Sequence, residues 1–328
     1  MEETFARKGL IAPERLRLLS GRSDGRAWLQ VLSHFGAIGL SGLGIHLAWG
    51  SAWVVAPFLL HGVLINYLYA GQHELSHSTA FKTRGLNEGF GRLIGFILIT
   101  PRDADQIQHF AHHRHTQRWR EDGELFRDRF TLASYLLRLS GLEYWHSNAK
   151  SLALYGLGVV TEPYVLQADG RGRVVLEARL HLLGYGLILA ASIWLHSAAA
   201  LIYWLAPMLL TKAAHQLQNT IEHVGLPHSD NIFENTRSTR TNMAMRWLCW
   251  NMPYHTAHHA FPSVPFYRLA ALHDEVFVAR GMVPPTMSYL GFQAGIIRAL
   301  AAKDEADYPD NEVWVGEGLR RTNQPVAA

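Results

Sequence analysis

Three short stretches of this chain concentrate side chains that bind metals: His73-Glu-Leu-Ser-His77, His109-Phe-Ala-His112-His113 and His255-Thr-Ala-His258-His259. The histidines in each recur at i+3 or i+4, a spacing that on an α-helix brings imidazoles to one face and within reach of a common ion. Imidazole suits iron, zinc and copper, and eight such ligands exceed what one tetrahedral ion takes, so two metals are expected. In Asn219-Thr-Ile-Glu-His223 an amide and a further imidazole lie four apart. His223 is therefore a candidate ninth ligand, and Asn219 a candidate for holding a water beside the metal. The other histidines, His34, His46, His61 and His196 within or beside apolar runs and His115, His146, His181, His215, His228 and His273 elsewhere, read as ordinary hydrogen-bonded or surface side chains.

The elements that must position these clusters are apolar. No Asp, Glu, Lys or Arg occurs between Arg26 and Glu74, and a second uncharged run covers Leu180 to Thr211. A membrane span takes about 20 apolar residues at about 1.5 Å rise each. The first run is long enough for a hairpin of two spans turning near Trp49-Gly50-Ser51. The second predicts another hairpin, turning between His196 and Ala200, with its apolar pattern extended by Val174-Val175-Leu176 and Ala213-Ala214. The expected fold is an all-α integral membrane protein with four transmembrane helices as two hairpins and a cytoplasmic helical cap carrying the histidine clusters.

That reading makes 1–328 a single domain. It comprises a cytoplasmic arm (1–26), a first hairpin (27–73), cytoplasmic and interfacial helices (74–179), a second hairpin (180–214), and a cap with a tail (215–328), loosely ordered after Asp304. Arg7, Lys8, Arg15, Arg17, Arg22 and Arg26 precede the first span, while both turns lack basic residues. By the positive-inside rule the termini and all clusters are expected to face the cytoplasm. A helix is expected over Arg102 to Arg120, and amphipathic interfacial helices over 130–166, with Tyr144, Trp145 and Tyr155 suited to the headgroup zone. The amino terminus shows no signal-peptide pattern, so the first span is expected to direct insertion. If the second span runs from about Pro57 to His77, then Asn66, Tyr69, Ala70, His73 and His77 form one stripe able to line a slot for a long apolar substrate.

A sequence pI of about 9.0 with net charge +3 fits contact with anionic headgroups and not nucleic acid, because the basic residues are scattered among acids and flank the spans. The one cysteine, Cys249, excludes a self-contained iron–sulfur cluster or disulfide within the chain. Gly42-Leu-Gly44 and Gly89-Phe-Gly91 lack the third glycine of a dinucleotide fingerprint. Any electrons must come from an external partner.

Taken together, the three boxes and the two uncharged runs resemble the membrane fatty-acid desaturase and hydroxylase superfamily, from about Gly71 to Asp274, including the run from His255 to Pro265. The runs His73 to Asn87 and His109 to Gln117 resemble bacterial members acting on acyl or small alkyl-amine substrates. Glu121-Asp-Gly-Glu124 is similar to a segment where relatives often carry Asp-Pro-Glu, so Gly123 departs from the pattern. The resemblance implies nine nitrogen ligands, His73, His77, His109, His112, His113, His223, His255, His258 and His259, with Asn219 in a water-mediated position. It implies two irons, dioxygen, and an electron donor of ferredoxin, rubredoxin or cytochrome type. Breaking an unactivated C–H bond requires a strong oxidant, and partners beyond the ligands orient each ring. Asp105, four residues before His109, is expected to accept its Nδ1–H, with Glu74, Glu222, Asp122 and Glu124 as further partners. The expected reaction is desaturation of a fatty acyl chain, with hydroxylation or oxidative decarboxylation to a terminal alkene as alternatives.

Two rivals belong to other classes. His73-Glu74-Leu-Ser-His77 is also the HExxH pattern of zinc proteases, including intramembrane ones, which would make Glu74 a general base. A metal transporter or sensor would favour ionisable residues in mid-span, and the apolar runs contain no carboxylate.

Overall fold

The computed structural model describes residues 9–118, 121–125, 130–227 and 231–302. The first eight residues of the expected arm, Arg120, His228 and the tail after Asp304 lie outside this set. The described chain is mostly helical, with one two-residue parallel strand pair, β1 (Ser238–Thr239) on β2 (Thr286–Met287).

After α1 (Pro13–Leu19), the helices α2 (Asp24–Ala48) and α3 (Val55–Ser76) form the first hairpin. Ser23 caps α2 by accepting from Arg26 N–H, and Gly50 turns the chain at φ +82° before a 3-10 turn, Ala52–Val54. Next come α4 (Arg84–Leu98) and α5 (Arg102–His115), then α6 (Leu132–Ser140), α7 (Leu142–Gly156) and α8 (Pro163–Gln167). The long apolar α9 (Arg171–Trp194) turns at 195–200 into a π-helical stretch, Leu201–Leu205, which continues as α10 (Ala206–Leu210). After a break at Thr211 comes α11 (Lys212–His223). The chain closes with α12 (Ile232–Asn235), α13 (Met243–Leu248), α14 (His255–Ala260), α15 (Leu269–Val276) and α16 (Tyr289–Ala302).

Among the described residues, three helices are long and apolar enough to cross a membrane: Asp24–Ala48, Ala52–Ser76 and Arg171–Trp194. The return limb of the second hairpin, Leu201–Leu210, is shorter than expected, because the helix breaks at Thr211, whose hydroxyl bonds back to the Pro207 carbonyl at 2.8 Å. Asn66 holds this break. Its amide donates to the carbonyls of Met208 (2.8 Å) and Gly62 (3.0 Å) and to the Thr211 hydroxyl (3.0 Å). Gly62 lets the segment come this close, since a Cβ there would sit 2.1 Å from the Pro207 carbonyl oxygen. Asn66 is therefore a clamp between helices, and Ala70 is core packing; of the expected substrate stripe, Tyr69 lines the cavity beside the histidines.

An ionic cluster ties α4, α5 and α9 together. Arg92 on α4 bonds Asp103 at the start of α5 and Glu177 on α9, while the Asp103 N–H donates to Glu177 at 2.6 Å. His34 and His61 act as expected of histidines between helices. His34 accepts from Trp250 Nε1 at 3.1 Å and bonds the Leu64 carbonyl, and His61 bonds Ser41 and the Tyr203 carbonyl.

Candidate metal centre

Nine buried or half-buried imidazoles meet where α3, α5, α11 and α14 converge. They form two groups: His73, His77, His109, His113 and His258, and then His112, His223, His255 and His259, the available nitrogens in each lying within 4.8 Å of one another. The boxes do not each serve one ion. In His109-x-x-His112-His113 the i, i+4 pair faces the first group and His112 turns to the second; in His255-x-x-His258-His259 the i, i+4 pair faces the second group and His258 turns to the first.

Within the groups Nε2 atoms face each other: His73 to His258 at 2.7 Å, His77 to His109 at 2.8 Å, His258 to His113 at 3.2 Å, His255 to His223 at 2.7 Å and His112 to His223 at 3.1 Å. Two nitrogens bound at right angles to one ion with bonds of about 2.1 Å lie about 3 Å apart, so these separations fit shared metal ions. His259 Nε2 is buried, has no hydrogen-bond partner among the described residues and belongs to the second group.

The loop after α5 supplies what stands behind the rings. The expected helix to Arg120 instead ends at His115, and Gln117 at φ +64° turns the chain back. Asp122 and Glu124 are thereby brought against the histidines. His109 donates from Nδ1 to Glu124 at 2.8 Å, and His112 donates from Nδ1 to Asp122 at 2.8 Å. Asp122 also accepts the backbone N–H groups of Gln117 and Glu124, both at 2.8 Å. Gly123 lies against Gln108, where a Cβ would come 2.5 Å from the backbone oxygen, which accounts for glycine at the position that departs from Asp-Pro-Glu.

Burial is the largest influence on Glu124 and by itself raises it, but charge on His112 and the bond from His109 prevail and hold it down at about 2. On His112 burial opposes charge, and Asp122 and Glu124 outweigh it, carrying the ring up to about 9. A field that favours a proton on the ring also favours a metal cation bound to it. Burial, followed by charge on His112, lowers His223 to about 3, leaving the neutral imidazole that binds metal. Its Nδ1 is oriented by the Asn235 carbonyl at 3.0 Å.

Asp105 does not take the expected role. Glu124 occupies the His109 Nδ1, and burial, followed by repulsion from Glu124, raises the Asp105 carboxyl to about 7. Glu74 lies 3.5 Å from His258 Nδ1, and Glu222 lies 3.7 Å from His255 Nδ1. Glu74 thus stands behind an imidazole instead of facing the ring nitrogens that converge, which gives it no place as the general base of a zinc protease. Asn219 lines the adjoining cavity, as do His112 and His223 of the second group.

Sequence reasoning passed over Arg237, which is fully buried and donates to the Ile221 and Val224 carbonyls at the end of α11, next to His223. A basic side chain capping helix-terminal carbonyls is a known stabilising device, but no spacing rule links a residue fourteen positions downstream to that helix.

A cavity of about 540 Å³ adjoins the second group, walled by α5, α7 and α11 and by Tyr69. Tyr144 and Tyr155 line it, and Tyr144 Oη bonds the Thr100 hydroxyl at 3.0 Å.

Residues 12–290 match the fatty acid desaturase family model. The chain belongs to the fatty acid desaturase family. Similar curated relatives are two proteins described as sn-1 oleoyl-lipid 12-desaturase, from Anabaena variabilis (22% identical over 281 residues, covering 76% of each chain) and from Arthrospira platensis (21% over 268 residues, covering 74% of each). Family membership makes this chain an oxidoreductase of desaturase type, and together with its three apolar helices a membrane protein.

Proposed function

We propose that each imidazole group holds one iron, giving a non-haem di-iron centre with His73, His77, His109, His113 and His258 on one ion and His112, His223, His255 and His259 on the other. Asn219 acts through a water, and Asp122 and Glu124 orient the rings. When bound, the iron pair supplies the oxidising power, drawn from dioxygen and two external electrons, that removing hydrogen from an unactivated C–H bond demands. The substrate is a fatty acyl or similar long apolar chain and the reaction is desaturation. Hydroxylation and oxidative decarboxylation to a terminal alkene remain the competing outcomes of the same site, because shifts of about 1 Å in substrate placement redirect such chemistry.

The observation that carries this reading is the convergence of nine imidazoles, backed by carboxylates, beside a cavity in a chain of the desaturase family. The protein's own contribution is placement: buried rings keep bulk water from the centre, and Tyr69 with α5, α7 and α11 forms the walls that receive the chain. Electrons come from a ferredoxin, rubredoxin or cytochrome, since the chain has a single cysteine.

We further infer a single domain with four membrane passes, as two hairpins over 27–73 and 180–214, and with the metal centre on the cytoplasmic side of a bacterial inner membrane. Incubation of iron-loaded protein with fatty acyl substrates, a reducing partner and dioxygen tests the reaction. Oxygen-dependent gain of one double bond supports desaturation, a hydroxylated product identifies the alternative, and no oxidised product under any electron donor contradicts the proposal.

A further inference from the structure

Helix α11 presents more to the cavity than the metal centre uses. His215, Gln216, Asn219, Thr220 and His223 all line it, with His215, Asn219 and His223 at four-residue steps along one face. His223 stands at the metal end, and His215 lies two turns earlier, about 12 Å along the axis at 1.5 Å per residue. His215 is 3% exposed and Gln216 1%. Among the described residues neither ring nitrogen of His215 and neither amide atom of Gln216 has a hydrogen-bond partner, although buried polar groups are nearly always paired.

The surroundings favour an oxygen-bearing ligand. After burial, the charges that most affect His215 belong to Lys212 and Arg138, both basic, and all three influences lower its proton affinity. Lys212 is itself buried, with its Nζ 3.4 Å from the centroid of the Tyr144 ring. A neutral imidazole offers one N–H and one acceptor, and a glutamine amide adds two N–H groups. Tyr69 lines the cavity here too, its ring 4.6 Å edge-on from that of His215.

We propose that His215 and Gln216 bind the oxygen atoms of the substrate's acyl head, a carboxylate or an ester carbonyl, and so set which stretch of the chain reaches the metal centre. This subsite rests on the acyl-chain reading above. It makes both residues specificity-determining, with the reacting carbons counted from the head.

The test is equilibrium binding to the metal-loaded, full-length protein in lipid nanodiscs. The probes are oleic acid, methyl oleate and the hydrocarbon left when the carboxyl group is removed. The parent is expected to bind an oxygen-headed probe tightly and the hydrocarbon weakly. Displacement by the acid alone identifies a free acid as the source, and displacement by both acid and ester an esterified one. The double variant His215→Leu/Gln216→Leu is expected to bind about tenfold more weakly, with unchanged metal per chain, and His215→Gln alone to retain most of the affinity. Equal binding of hydrocarbon and acid by the parent, parent-like affinity in the double variant, or loss of metal in that variant would each overturn the subsite. Head-dependent binding without any oxidised product would leave the subsite standing and refute the reaction instead.

Discussion

The carboxylates behind the imidazoles decide how firmly the rings are aimed. Asp122→Asn removes the charge that accepts from His112 Nδ1 at 2.8 Å, and loss of such a partner typically weakens metal affinity roughly 10- to 100-fold. Asp105→Asn is expected to leave affinity unchanged, because Glu124 is the partner of His109. Competition titrations with a chelator compare the two, and equal losses would refute this assignment. The histidines themselves are legible in the sequence, since each box carries them at helical spacing. Their division between two groups is not, because it depends on how helices far apart in sequence come together around the centre. The choice of Glu124 over Asp105 was hidden for a similar reason: it follows from the reversal at Gln117, a left-handed backbone at a non-glycine residue that spacing does not announce.

Among the elements, α11 is the one whose position matters most, because it carries His223 at its last residue and His215 near its first. Arg237 fastens its end through two carbonyls and lies 4.7 Å from the Phe292 ring on α16. Arg237→Met leaves those buried carbonyls unpaired, at a cost of about 1–3 kcal/mol. The expected result is a lower thermal midpoint together with weaker metal retention. A variant as stable as the parent would show that the cap is dispensable. The apolar hairpin of α2 and α3 was readable from its uncharged run. The break at Thr211 was not, since it comes from the Asn66 clamp and the close approach at Gly62, contacts between residues more than 140 positions apart.

At the scale of the whole molecule, the proposed topology puts the turns at 49–51 and 195–200 on the face opposite the histidines. With Cys249 replaced by Ser, single cysteines introduced as Ser51→Cys and Ser197→Cys should both react with an impermeant thiol reagent added outside intact cells. Protection of either would exclude the four-pass arrangement. The central claim is a centre of two irons, and elemental analysis of detergent-purified, iron-supplied protein tests it most directly. The prediction is about two irons per chain, one for each imidazole group, falling sharply when His113 and His259 are both replaced by Ala. A content of about one zinc with no iron, or iron unaffected by those substitutions, would contradict it.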